Sequence, residues 1–297
     1  MSCSIPQEAV DALFELLDAD AFTPTSWYDV EARQCRVDIF LEDASQASPV
    51  ADTLIATAAL QGLTLKPEIS TLARADWAEA WKRFFHVEKI SDRIVVRPSW
   101  EAYEAKPGEC VITLDPGLSF GTGKHATTQS CLRFLDRLAA EESHRMKRID
   151  TNDFISVNSR NSMTVLDMGC GSGILAIGAA LLGFTDVRGF DNDPDCKTVS
   201  EENAAINNVR IPFEIDDLSH AHPPADIVIA NILAPVLIQF APQIVGSMTP
   251  PPHARLILSG ILDEQYGAVK TAFEAQGLVE CENILIENWR SGLFAHG

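Results

Sequence analysis

The sequence predicts an α/β protein: a mostly parallel, Rossmann-like sheet that ends in an antiparallel hairpin, with a small α+β module in front. Three observations predict it. From residue 164 to 276, apolar β-branched runs alternate with helical patterns, as in parallel sheets covered on both faces. A glycine-rich turn carrying Gly169, Gly171 and Gly173 joins the first of these strands to the first helix. Residues 278–286 and 289–295 are two apolar runs with only a short turn between them, too close for a crossover helix and suited to a hairpin.

The front module comes first in the chain. Val10, Leu13, Phe14 and Leu17 share one face of a helix over 9–17, beginning so near Met1 that no strand is expected ahead of it. Val37 and Ile39 alternate with Asp38 in a strand over 36–40. Leu54, Ile55, Ala58 and Ala59 mark a second helix over 50–60, which Gly62 ends, and 63–72 reads as another strand. Residues 1–75 are assigned to this module. Trp77, Trp81, Phe84 and Phe85 recur at helical spacing. They fit a packing helix better than a base-stacking surface, because aromatic stripes usually fill cores. Residues 76–104 therefore read as a linker helix and connecting strand, and 105–297 as the main domain. Strands are expected over 93–98 and 111–116. The charged stretch 137–162 reads as a surface loop. Further strands follow over 187–191, 212–215, 226–230 and 255–259, with helices over 194–207, 234–245 and 263–276.

Composition narrows the functions. The formal net charge is −19, which argues against direct nucleic-acid binding, since phosphate contacts need surplus lysine and arginine. It suits a basic protein substrate. No stretch has the length of a membrane span. The start, MSCSIPQEAV, has neither a basic region nor an apolar core of the secretory kind. Seven cysteines are scattered without C-x-x-C spacing, so a cytoplasmic protein with reduced thiols and no metal site is expected.

The chemistry concentrates at the glycine turn. The run 164–166 ends in Asp167, the turn follows, an apolar helix opens at Ile174, and a second strand ends in Asp191. A βαβ unit of this kind holds a nucleoside at its carboxyl edge, with the second acid accepting from ribose hydroxyls. A dinucleotide loop needs G-x-G-x-x-G, but here the third glycine comes one position early and Ile174 stands in its place. No arginine or lysine waits nearby for a phosphate. The pattern D-x-G-x-G-x-G resembles the first motif of class I methyltransferases, which hold S-adenosylmethionine, a cation without phosphate. Asp167 either contacts the cofactor's amino-acid part or orients the loop amides. Cys170, inside the loop, reads as a small filler.

A second motif, DPGLSFGTGKHATT over 115–128, imitates a phosphate loop and fails it. Leu118 replaces the first glycine and His125 follows Lys124 where a hydroxyl residue belongs. Thr127 and Thr128 open a helix, where their hydroxyls can cap the helix or touch a ligand.

Together with LDMGCGSGILAIGAA, FDNDP, ANILAP and LSGIL, this segment resembles the PrmA-type ribosomal protein methyltransferases over residues 76–297. The resemblance implies a ferredoxin-like substrate domain, a linker helix and a class I methyltransferase domain. It also implies methylation of amino groups on ribosomal protein L11, and cofactor contacts at Thr128, Gly169, Asp191 and Asn231. Three features depart from the family pattern. The front module looks trimmed of its first strand, the 137–162 connection looks long, and Lys124 and Ala126 flank His125. Asn231 can accept from the substrate amine or cap the next helix. His125 can take a proton, shape the pocket or serve the fold. Two other readings stand beside this one: a lysine methyltransferase acting on another protein, and a nicotinamide-dependent oxidoreductase. A non-catalytic module is disfavoured by the intact loop, Asp191 and Asn231.

Overall fold

A computed structural model describes residues 2–5, 23–29, 34–41, 44–60, 65–69, 85–115, 123, 125–150 and 161–297. The chain divides into two compact units, Met1–Arg83 and Phe84–Gly297.

In the first unit, β1 (Ser2–Ile5), β2 (Thr23–Asp29) and β3 (Gln34–Phe40) form an antiparallel sheet in the order β1-β3-β2. Helix α1 (Ala47–Leu60) follows and buries Val50, Ala51 and Leu54, while Ile55 faces out. A strand therefore does lie at Ser2–Ile5, ahead of residue 9, where none is expected from the sequence. Four residues, SCSI, alternate but are too few to be read as a strand locally. Their strand exists because they pair with β3, from Ser2↔Asp38 to Ile5↔Cys35. The helix expected over 9–17 and the aromatic helix over 76–84 lie outside the described residues. Within 63–72, residues 65–69 are described, and only Glu68 makes a β-bridge.

The second unit opens with β4 (Glu88–Lys89), β5 (Ile94–Arg97) and β6 (Cys110–Thr113), a small sheet in that order. Ile90, Ile94, Val96, Ile112 and Leu114 enter the same apolar core as the large sheet. Helix α2 (Ala126–Asp150) comes next. It overturns the loop expected from 137 onward, since 137–150 is helical. Leu138 and Ala139 continue the apolar stripe of Cys131, Leu132, Phe134 and Leu135. The charges lie on the other face, where Arg137 pairs with Glu141 across one turn. Glu142 is buried but neutralised by Arg145 at 2.6 Å. Charge density there marks a solvated helix face.

The large sheet contains β7 (Asn161–Met168), β8 (Phe184–Asp191), β9 (Phe213–Ile215), β10 (Ile227–Asn231), β11 (Arg255–Leu262), β12 (Leu278–Ile286) and β13 (Trp289–His296). Its order is β12-β13-β11-β10-β7-β8-β9. The strands from β11 to β9 are parallel, and β13 and β12 are antiparallel. The expected hairpin is thus present and supplies one edge. Helices α3 (Ile174–Leu181), α4 (Pro194–Ile206), α5 (Ala234–Gln239), α6 (Ala241–Gly246) and α7 (Asp263–Glu274) connect the strands. The single helix expected over 234–245 is two, because Pro242 opens α6 and Phe240 breaks the ladder between them.

Strand alternation feeds two cores. Ile227 and Ile229 of β10 point to the face covered by α2 and α3, whereas Val228 and Ala230 point to the face covered by α5 and α7. Phe134, fully buried on α2, anchors the first of these cores. Phe134→Ala is expected to lower stability by about 3–5 kcal/mol through lost contacts and a cavity. A urea titration checks it: the midpoint falls while the slope stays constant.

Candidate functional site

The sheet reverses its winding between β7 and β10. From β7 the chain proceeds outward to β8 and β9, then returns to lay β10 and β11 on the other side. Ligands of open α/β sheets sit at the carboxyl ends of strands at such a switch point. Asp167, Asp191, Asn231 and Ser259 all lie at that edge, near the ends of β7, β8, β10 and β11, with Asn231 in register with Ser259.

The turn after β7 is held from both sides. The amides of Gly169 and Cys170 donate to the Phe190 carbonyl at 2.9 and 3.0 Å. The Gly171 amide donates to Asp191 Oδ2 at 2.9 Å, and Asp191 Oδ1 accepts from the Asp193 amide at 3.0 Å. Asp167 Oδ2 accepts from the Ala176 amide at 3.1 Å. It thereby satisfies one of the free donors at the start of α3, whose N-cap Gly173 supplies no side chain. Gly169, Gly171 and Gly173 take φ of 69°, 53° and 76°, a left-handed region that favours glycine. At Gly169 a Cβ would stand 2.7 Å from Ile232 Cγ2. The structure therefore brings together the carboxylates and glycines expected from the sequence. Of the FGTG segment only Gly123 is described; 116–122 and Lys124 lie outside the described residues.

The start of α2 forms the adjoining wall. Thr127 and Thr128 are fully buried. His125 Nδ1 lies 2.8 Å from Thr127 Oγ1 and receives the Thr127 backbone N–H at 3.4 Å, which puts the proton of the neutral ring on Nε2. The ring meets Trp289 edge to face, 4.8 Å between centroids. Burial lowers the His125 pKa, with Glu287 opposing. Ser259 Oγ donates to the Thr127 carbonyl at 3.2 Å and lies 2.6 Å from Ser291 Oγ, tying α2 to β11 and β13. Neither Ser259 nor Trp289 stands out by sequence pattern; Gly260, which follows Ser259 within β11, is the local signal for the first.

Three polar atoms in this region are buried without a hydrogen-bond partner: Thr128 Oγ1, Asp167 Oδ1 and Asn231 Oδ1. Such atoms are costly and rare in folded proteins. Burial pushes the Asp167 carboxyl up to about 7, opposed by the Ala176 amide and reinforced by Asp191. Burial also pushes the Cys170 thiol up, which removes it as a nucleophile and leaves it as filler.

The family model described as "Ribosomal protein L11 methyltransferase (PrmA)" matches residues 10–294. The chain belongs to this family. Among its relatives is the ribosomal protein L11 methyltransferase of Syntrophotalea carbinolica, 40% identical over 242 residues, covering 80% of this chain and 73% of the relative. That of Trichlorobacter lovleyi is 33% identical and covers 98% of this chain and 95% of its own. The crystal structure of ribosomal protein L11 methylase from Lactobacillus delbrueckii subsp. bulgaricus superposes with a TM-score of 0.57 at 29% identity, over 71% of this chain and 99% of that one. Membership of the PrmA family sets aside the oxidoreductase reading. The donor that the family implies is S-adenosylmethionine, and the residues present fit it. A Cβ at Gly169 would collide with Ile232, so the turn keeps its path beside the strand ends only with glycine, and the unpartnered acceptors suit a ligand with hydroxyls and cationic groups.

Asp167 gives the ligand-free protein one component of its pH dependence. Its folded pKa lies above the unfolded value, so the folded state holds the extra proton between about pH 4 and pH 7. The neutral carboxyl is the stable form, and its contribution is lost as pH rises through about 7. Asp167→Asn is expected to flatten this fall in melting temperature between pH 4 and 8. Parallel curves for the two proteins would show that Asp167 does not carry it.

Proposed function

We propose that this chain transfers methyl groups from S-adenosylmethionine to amino groups of ribosomal protein L11, in the cytoplasm. Family membership over nearly the whole chain supports the reaction. The observation that carries the site is the unpartnered Asn231 Oδ1, buried at the end of β10 beside the glycine cradle. Among the described residues no helix is long and apolar enough to cross a membrane. The charge of −19 suits a basic protein partner and disfavours direct contact with RNA.

When bound, S-adenosylmethionine supplies a methyl group already activated by its sulfonium. The chain's residues then bind, orient and exclude water. Asp191, which accepts from the Gly171 and Asp193 amides, would also take the ribose hydroxyls. The loop at Gly169, Gly171 and Gly173 would let backbone approach the ligand, and Asp167, which orients the Ala176 amide, would hold its cationic amino-acid part. Thr128 Oγ1 offers a further hydrogen bond from the wall of α2. Asn231 Oδ1 accepts from an N–H of the target amine, which aims the nitrogen lone pair at the methyl. The amine must arrive neutral, whereas a lysine is charged at neutral pH. Exclusion of water around the amine favours the neutral form by desolvation. His125 shapes the wall through Thr127 and Trp289, since its Nδ1 is already engaged and its Nε2 carries the proton. Alignment of this kind lowers a barrier by up to roughly 7–11 kcal/mol.

Two substitutions test the assignment, with unmethylated L11 and labelled S-adenosylmethionine. Asp191→Ala is expected to weaken cofactor binding roughly ten- to hundredfold, the loss of charge-assisted hydrogen bonds. Asn231→Ala is expected to cut kcat about a hundredfold, the cost of a misaligned reactant, with a much smaller change in cofactor affinity. Equal losses in both quantities would make Asn231 a cofactor ligand only, and absence of label on L11 would overturn the function.

A further inference from the structure

The residue two positions after Asn231 breaks a local rule without structural return. Leu233 occupies the N-cap of α5, in extended backbone (φ −61°, ψ 140°), and makes no side-chain cap. Serine, threonine, asparagine or aspartate is the usual choice there. Leu233 is also 67% exposed, the most exposed of the large hydrophobic residues described. Single exposed leucines are ordinary, so its place in the fold decides its meaning.

That place is fixed by its neighbours. Ile232 packs down on the glycine turn, its Cγ2 2.7 Å from where a Cβ on Gly169 would stand. Its backbone is held from the other side by β11, which bends there through Gly260 at φ 79°. A Cβ on Gly260 would meet the Ile232 carbonyl oxygen at 2.5 Å. Ile232 lies at the bend between β10 and α5; its side chain packs onto the glycine turn, while that of Leu233 is left in solvent. Its own carbonyl accepts from Val236 and Leu237 at 3.0 and 3.1 Å, so the backbone that presents it is anchored in α5.

We infer that Leu233 is a specificity-determining contact, packing against the alkyl stem of the lysine that delivers its amine to Asn231. The inference rests on the proposed reaction and adds how the substrate is gripped. A lysine has an apolar four-carbon stem behind its nitrogen, and such stems lie along apolar surface while the head group is held elsewhere. The acidic protein attracts the basic partner from a distance, and Leu233 offers its stem an apolar wall beside the unpartnered amide oxygen.

The decisive substitution is Leu233→Asn, because asparagine is a favoured N-cap. The melting temperature is expected to stay level or rise, and S-adenosylmethionine affinity to stay unchanged. KM for unmethylated L11 is expected to rise about tenfold, what losing roughly two methylene groups' worth of apolar contact amounts to, with kcat little altered. Leu233→Met, apolar and of similar volume, is expected to keep the wild-type KM. An unchanged KM in Leu233→Asn, or a loss traced to weaker cofactor binding or lower melting temperature, overturns the inference alone. Failure of the wild-type chain to methylate L11 overturns the proposed function, and this inference with it.

Discussion

Two carboxylates at the ends of adjacent parallel strands set the shape of the site. Asp167 binds the Ala176 amide in the first turn of α3 and Asp191 binds the amide of Gly171, so the glycine turn is suspended between β7 and β8. The backbone there runs through a left-handed region at three glycines. It would have little reason to keep that path without these acceptors. Because both acids lie at the same sheet edge, the bonds that stabilise the loop also leave one carboxylate oxygen, Asp167 Oδ1, turned into an unsatisfied position.

The far side of the site depends on a different set of bonds. The start of α2 is joined to β11 and β13 through Ser259, Ser291 and the Thr127 carbonyl, and Trp289 braces His125. The C-terminal hairpin thus does more than close a sheet edge. It locates Thr127 and Thr128, which lie more than 130 residues earlier in sequence.

The site is maintained against local stability. Thr128, Asp167 and Asn231 each bury a polar atom that finds no partner, and burial holds the Asp167 carboxyl far above its usual range. Each such group costs free energy that the surrounding apolar packing must offset. The two cores on either face of β10, almost free of exposed side chains along 227–230, provide that offset. Strain of this kind, confined to one strand edge, is characteristic of sites built to receive a ligand.

The sequence by itself determined much of the second unit. Period-two runs, the glycine turn and the acids at 167 and 191 reflect contacts between near neighbours, so the order of strands and helices from 164 onward and the terminal hairpin were legible. The resemblance of the FGTG and NILA segments to the PrmA family, not periodicity, implied Thr128 and Asn231 as ligand residues. Tertiary structure decided the rest. The strand at Ser2–Ile5 exists only through its pairing with β3. The charged stretch after Arg137 is helical because Leu138 and Ala139 find a core to join. Ser259 and Trp289 acquire their places only when β11 and β13 lie beside the start of α2. Leu233 reads as an ordinary leucine until Ile232 beside it is packed between Gly169 and Gly260 and its own side chain is left in water. Local periodicity reports which face of an element is apolar; pairing between distant segments fixes what that face meets.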